Sequence, residues 1–224
     1  LITTRDDESY TCLSKLCKSR NIYNCGDLIL TYKPEEHLLY TKQIKKIIEK
    51  SKNKKIVLIH YNHEEIALNK FAESLNHFDN EYGEQDEFFY VVISDSILDN
   101  SKKLFDKFHH IFNKVNYFNY SNPYELSALI NISSVVITSK LHVGVIACML
   151  NKSVISVACH YEKTKRFYEQ IKEKDRCISL YDCTSEDIYE LIKKYYKKNI
   201  IIPKKIYKNS SLTWEKLEED EVKI

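Results

Sequence analysis

The chain has 224 residues with 34 basic and 32 acidic side chains, a formal net charge of +2. That near-balance excludes binding of nucleic acid by bulk charge, and 43% hydrophobic with 29% charged residues describes an ordinary globular chain. The length is enough for a sizeable core, and no apolar run reaches the ~18 residues of a transmembrane span.

Seven cysteines, an odd number with no C-x-x-C spacing, suit reduced cytoplasmic thiols rather than a disulfide or zinc framework. No metal is expected. The chain begins at Leu1 and its only methionine is Met149, the pattern of a fragment or a processed product.

Residues 6–20 read as a helix with Tyr10, Leu13, Leu16 and Cys17 on one face, opened by acidic side chains that suit its positive end. Residues 22–32 read as an extended piece. The polar stretch Lys33-Pro34-Glu35-Glu36 is the candidate domain boundary. Residues 38–50 form a second helix, with Ile44, Ile47 and Ile48 inward.

From Lys55 onward strands and helices alternate. Strands are expected at 56–60, 88–93, 115–118, 135–137, 153–158 and 177–180. Helices are expected at 64–78, 102–114, from Asn122-Pro123 onward, 141–150, 162–172 and 184–198. In the last, Ile188, Leu191, Ile192, Tyr195 and Tyr196 recur at helical spacing. This rhythm predicts right-handed βαβ units, hence an α/β fold with a Rossmann-like parallel sheet of about six strands. Residues 199–224, basic and then acidic, read as a tail or arm, with Trp214 available to pin it to another domain.

One junction stands out. Ser134-Val135-Val136-Ile137 is a buried strand, Thr138-Ser139 carry helix-capping chemistry, and nearly every residue from Leu141 to Leu150 is apolar. Lys140 and His142 are therefore a cation and an imidazole between a central strand and a buried helix. In α/β sheets that is where anionic ligands bind. Gly144 beside it suggests a close approach of chains. Taken alone, His142 also reads as a satisfied histidine at a buried helix, and Arg5 as an ion-pair partner of Asp6 or Glu8.

No G-x-G-x-x-G follows the first long strand, where His60-Tyr61-Asn62-His63 stands instead, so no dinucleotide cofactor is expected. His60 and His63 lack an acidic or cysteine cluster and read as surface or cleft-rim residues rather than metal ligands. His160 and Tyr161 follow the carboxyl end of the next strand and are candidate cleft residues. Lys163 and Lys165 read as a solvated face.

The segment Thr138-Ser139-Lys140-Leu141-His142, an apolar helix, Asn151-Lys152-Ser153 and a strand resembles the carboxyl-terminal signature of the polysaccharide pyruvyl transferase family, T-S-R-L-H, helix, G-K-P, strand. A second block agrees: Arg5-Asp6-Asp7-Glu8-Ser9 is similar to the family's R-D-x-x-S. Cys25-Gly26-Asp27-Leu28 sits where the family has an aspartate-proline pair. The resemblance covers residues 1–182.

It implies a GT-B-like architecture. Residues 1–34 would close a first Rossmann-like domain, and residues 35–198 would form the second. The implied activity is transfer of the enolpyruvyl group of phosphoenolpyruvate to a sugar of a surface polysaccharide or its lipid-linked precursor, giving a pyruvate ketal. Carried over residue by residue, Arg5, Ser139, Lys140 and Leu141 bind phosphoenolpyruvate, and His142 is catalytic. No cofactor is implied beyond that donor substrate, and the location is cytoplasmic or peripheral at the membrane. Lys140 departs from the family arginine, offering a point charge in place of a fork. Two alternatives remain open. One is a GT-B glycosyltransferase using a sugar nucleotide; the other is an inactive carbohydrate-binding or scaffold domain.

Overall fold

Two parallel sheets follow one another in this computed structural model, which describes residues 1–17, 21–61, 65–94 and 100–221. The first sheet has two strands, β1 (Ile2–Thr4) and β2 (Ile22–Asn24), joined through α1 (Asp7–Leu16). Asp6 caps α1 by accepting the Ser9 N–H at 2.8 Å. Contrary to its apolar periodicity, α1 buries none of its residues, and Leu16 is 80% exposed. The two short strands beneath it are too small to cover a helix face. A 3₁₀ turn, Leu28–Thr31, interrupts the extended piece expected over 22–32, and a second, Pro34–His37, follows it.

α2 (Lys42–Ser51) then leads into the main sheet. Its elements in order are β3 (Lys55–Tyr61), α3 (Glu65–Asp86), β4 (Phe88–Ser94), α4 (Asn100–Ile111), β5 (Val115–Tyr117), α5 (Pro123–Ile132) and β6 (Val135–Thr138). α6 (Leu141–Met149), β7 (Ser153–Ala158), α7 (Tyr161–Gln170), β8 (Cys177–Ser179), α8 (Ser185–Tyr195) and α9 (Lys204–Glu221) complete the chain. In α2, Ile44 and Ile47 turn inward, but Ile48 is 43% exposed.

The strands lie in the order β5-β4-β3-β6-β7-β8, and every adjacent pair is parallel. The expected α/β class and parallel sheet are what the chain forms. Alternation along β3 feeds two cores. Val57, Ile59 and Tyr61 pack with α3 and α8, while Ile56 and Leu58 pack with α2, α5 and α6. Each fully buried side chain of this size contributes ~1.5–3 kcal/mol, so the sheet is a rigid base for whatever stands at its edge. α5 is capped by Asn122, which accepts the Glu125 N–H at 3.0 Å, with Pro123 in the first turn. Thr184 and Asp187 close a capping box on α8.

The carboxyl-terminal stretch read as an arm is helix α9, folded back on the Leu28–Thr31 turn. Trp214 Nε1 donates to Thr31 Oγ1 at 3.3 Å, so this indole holds the helix to the chain's own turn. Among the described residues, no helix is long and apolar enough to cross a membrane.

Candidate active site

The strand order reverses between β3 and β6, and the crevice at their carboxyl ends is where an open α/β sheet binds ligands. There the Ser139 N–H donates to the His60 carbonyl at 3.0 Å, locking the end of β6 to β3. Thr138 Oγ1 accepts the Lys140 N–H at 3.0 Å, which makes a tight turn before α6. The capping chemistry expected of Thr138 is thus spent within the turn. Lys140 takes the cap position with extended backbone, and its own side chain makes no capping hydrogen bond. The positive end of a buried helix is left facing a cavity of about 450 Å³.

Ser139, Lys140, His142, Cys159, His160 and Lys163 line that cavity. Leu141 reaches it too, although its side chain is otherwise buried in the core. Burial pulls the Lys140 ammonium below its ordinary value, partly offset by Cys159. A partly dehydrated cation of this kind gains most when an anion arrives. Lys163, read from sequence as part of a solvated face, stands on the cavity wall.

His60 is not on a cleft rim. It is fully buried, and burial together with Lys140 pushes its imidazole down to about 3, so it stays neutral and takes no proton near neutral pH. The reason is its position in the middle of the sheet: β3 is flanked on both sides by β4 and β6. Tyr161 packs partly against the core with Lys165 Nζ 5.6 Å from its ring, whereas its neighbour His160 lines the cavity. His63 lies outside the described residues. Gly144 does mark a close approach. A Cβ there would lie 2.7 Å from Tyr168 Oη, so the glycine lets α6 and α7 close rather than admitting a ligand.

Arg5 reaches the same place from the other sheet. Its Nη1 lies 3.8 Å from Asp27 Oδ2 and its Nε 3.9 Å from Asp6 Oδ2. Gln170 of α7 donates to the Arg5 carbonyl at 3.1 Å, and Arg166 of α7 pairs with Asp6 at 3.6 Å and Glu8 at 2.6 Å. These contacts hold the first βαβ unit against α7. His142 Nε2 lies 3.7 Å from the same Asp27 Oδ2. The residues of the two sequence blocks therefore converge on one carboxylate.

Asp27 was missed as a site residue, though its signal was present in the Cys25-Gly26-Asp27-Leu28 segment. It is buried just before the Leu28–Thr31 turn, where Oδ1 accepts the Ile29 N–H at 3.2 Å. Burial alone would push its carboxyl up, but His142, the Ile29 amide and Arg5 together hold it below the ordinary carboxylate value. Among the described residues, no group of three or more His, Cys, Asp or Glu side chains could hold a metal ion.

Several solved structures share the fold. UDP-GlcNAc 2-epimerase from Neisseria meningitidis, solved with UDP-GlcNAc, superposes with a TM-score of 0.68 at 19% identity over 96% of this chain and 60% of its own. The corresponding epimerase from Methanocaldococcus jannaschii, in complex with UDP-GlcNAc and UDP, gives 0.60 at 13% identity over 92% of this chain and 57% of its own. An α,α-trehalose-phosphate synthase from Burkholderia xenovorans gives 0.60 at 8% identity, covering 89% of this chain and 51% of its own. At such identities the likeness is one of fold, GT-B-like, and the chain spans 51–60% of the length of these three proteins. No curated protein matches the sequence. The family model of polysaccharide pyruvyl transferase matches residues 1–161, a stretch holding both Arg5 and the Lys140–His142 junction, and the chain belongs to that family.

Proposed function

We propose that the protein transfers the enolpyruvyl group of phosphoenolpyruvate to a sugar, forming a pyruvate ketal across two hydroxyls. The observation that carries this reading is the convergence of Arg5 and His142 on the Asp27 carboxylate, with His142 and the start of α6 also lining the cavity. Phosphoenolpyruvate carries a phosphate and a carboxylate. Lys140, Arg5 and the α6 N-terminus are receptors of matching charge, and Ser139 adds a hydroxyl at the wall. Leu141 supplies a backbone position at the first turn of the helix.

His142, more than half exposed in the cavity wall, is the proposed general acid. It protonates the methylene carbon and makes C2 electrophilic for a sugar hydroxyl. The Asp27 carboxylate faces the ring with Oδ2 3.7 Å from Nε2. No cofactor enters the scheme.

The acceptor is a saccharide of a surface polysaccharide or its lipid-linked precursor, and the reaction belongs in the cytoplasm or at the membrane surface. Residues 1–34 are proposed to close a first Rossmann-like domain, a role that the exposed apolar face of α1 and the parallel β1–β2 pair support.

The test is to incubate the full-length protein with phosphoenolpyruvate and a candidate glycan, and to measure phosphate release and ketal formation by mass spectrometry. A thermal shift with phosphoenolpyruvate supports the reading through binding linkage. A shift with UDP-sugars but none with phosphoenolpyruvate favours the second reading, a sugar-nucleotide enzyme, which the UDP-GlcNAc-bound relatives of the fold motivate. Glycan binding without turnover of either donor points to a carbohydrate-binding scaffold.

A further inference from the structure

We infer that Asp27 is a positioning residue that holds the His142 ring by Nε2, leaving Nδ1 as the atom that hands the proton to the substrate. The identity of the proton acceptor rests on the enolpyruvyl-transfer reading; the orientation of the ring does not.

The local backbone shows why this carboxylate is presented as it is. Gly26, at φ +80, turns the chain out of β2. Asp27 then commits Oδ1 to the Ile29 N–H. Oδ2 is buried, and no described residue donates a hydrogen bond to it. What approaches it is an imidazole and a guanidinium, His142 Nε2 at 3.7 Å and Arg5 Nη1 at 3.8 Å. Buried carboxylate oxygens take hydrogen bonds, and both of these neighbours carry nitrogen donors. The other charged or titratable groups around the cavity that His142 lines are Lys140 before α6, Cys159 after β7, and His160 and Lys163 on the α7 side. Asp27 is the carboxylate that pairs with the ring.

An imidazole whose Nε2 faces an ionised carboxylate carries its proton there, because the carboxylate is an acceptor only. The ring's opposite nitrogen is then the one turned away from Asp27. In the imidazolium, the Nδ1–H bond breaks as the enol double bond forms a C–H bond at the methylene carbon. Asp27 stays ionised, and His142 is left neutral with Nε2–H in place. The first sugar hydroxyl adds to C2 and returns its proton to Nδ1. Phosphate then leaves C2, the second hydroxyl closes the ketal, and its proton departs with the phosphate.

Histidine labelled with ¹⁵N in the full-length protein decides the matter, with the His142 signal assigned by its loss in His142→Gln. Long-range ¹H–¹⁵N spectra of the neutral ring are expected to show the proton on Nε2 in the unsubstituted protein. In Asp27→Asn, the amide oxygen is needed by Ile29, so the NH₂ group faces the ring and the proton is expected to move to Nδ1. With phosphoenolpyruvate and acceptor, the same variant should lose about 10²-fold in kcat with KM for phosphoenolpyruvate changed by less than about threefold. A neutral wild-type ring protonated on Nδ1, a tautomer unmoved by Asp27→Asn, or an unchanged kcat each overturn the inference. The first readout needs no variant to fold. If the unsubstituted protein fails to turn over phosphoenolpyruvate, the transfer reading falls, while the spectra still decide the role of Asp27.

Discussion

Arg5 and His142 meet at a single oxygen, Asp27 Oδ2, which is 3.8 Å from the guanidinium Nη1 and 3.7 Å from the imidazole Nε2. One residue comes from the loop after β1 and the other from the first turn of α6. The carboxylate therefore couples the small sheet to the switch point of the large one. If His142 is the proton donor there, His142→Gln should abolish ketal formation while binding of phosphoenolpyruvate stays within about threefold, since a polar side chain of similar reach remains. Calorimetric titration beside a turnover assay separates the two effects. Normal turnover by His142→Gln would remove the imidazole from the mechanism.

Lys140 stands at the cap position of α6 and loses part of its hydration to burial. As a receptor for one anionic group, its removal in Lys140→Ala should cost about 1.5–3 kcal/mol of phosphoenolpyruvate affinity, the range of a hydrogen bond to a charged group. Lys140→Arg should bind at least as well, because the guanidinium offers two parallel donors. Equal affinities for the alanine variant and the wild type would place the anion elsewhere.

How far this site could be read from sequence depends on the range of the forces that build it. The β-branched run at β6, the apolar helix α6 and the cap at Asn122 are local signals, and all three elements form where their residues predict. The covered sheet also followed from the alternation of strands and helices. Burial of His60 was not legible, because a histidine ending a strand looks the same whether or not two further strands flank it. The exposure of α1 escaped for a related reason: periodicity names the apolar face and says nothing of what covers it. Helix α9 was hidden by its mixed charge. Its anchors are the buried Ser210 and Thr213 and the Trp214–Thr31 hydrogen bond, contacts made across most of the chain. Asp27 was visible only as a residue standing where the family has its aspartate-proline pair, since its role arises from two partners brought in from distant segments.

Gly26 ties α9 to that carboxylate. Its φ of +80 disfavours any side chain, and a Cβ would lie 3.0 Å from Ser210 Oγ. Gly26→Ala should therefore destabilise the fold by about 1–2 kcal/mol, chiefly from the left-handed backbone. Adding Ser210→Ala removes the steric contact but leaves the backbone cost, so the double variant should recover only part of the loss. Urea unfolding of both proteins checks this. Full recovery would show that the Ser210 contact, not the backbone, required glycine.

The last prediction concerns acid stability and lies far from the cavity. Asp86 ends α3 and gathers Lys55 from the start of β3, Lys197 Nζ at 3.0 Å and the Tyr196 hydroxyl, which donates at 3.1 Å. Burial would push its carboxyl up, but Lys55, Lys197 and Tyr196 outweigh it and bring it down to about 2 from the ordinary 3.8. A carboxyl with a folded value below its unfolded one binds fewer protons when folded. It therefore contributes stability that is complete above about pH 4 and is lost as pH falls toward about 2. The partners Lys55 and Lys197 are well exposed, so solvent screening limits the contribution to about 1–2 kcal/mol. Asp86→Asn lacks the titration. Its unfolding free energy should lie below that of the wild type near neutral pH, and the gap should close between about pH 4 and pH 2. Urea unfolding measured at steps across that window reads the gap directly. A gap that stays constant through the window would mean that Asp86 acts through packing or neutral hydrogen bonds rather than through its charge.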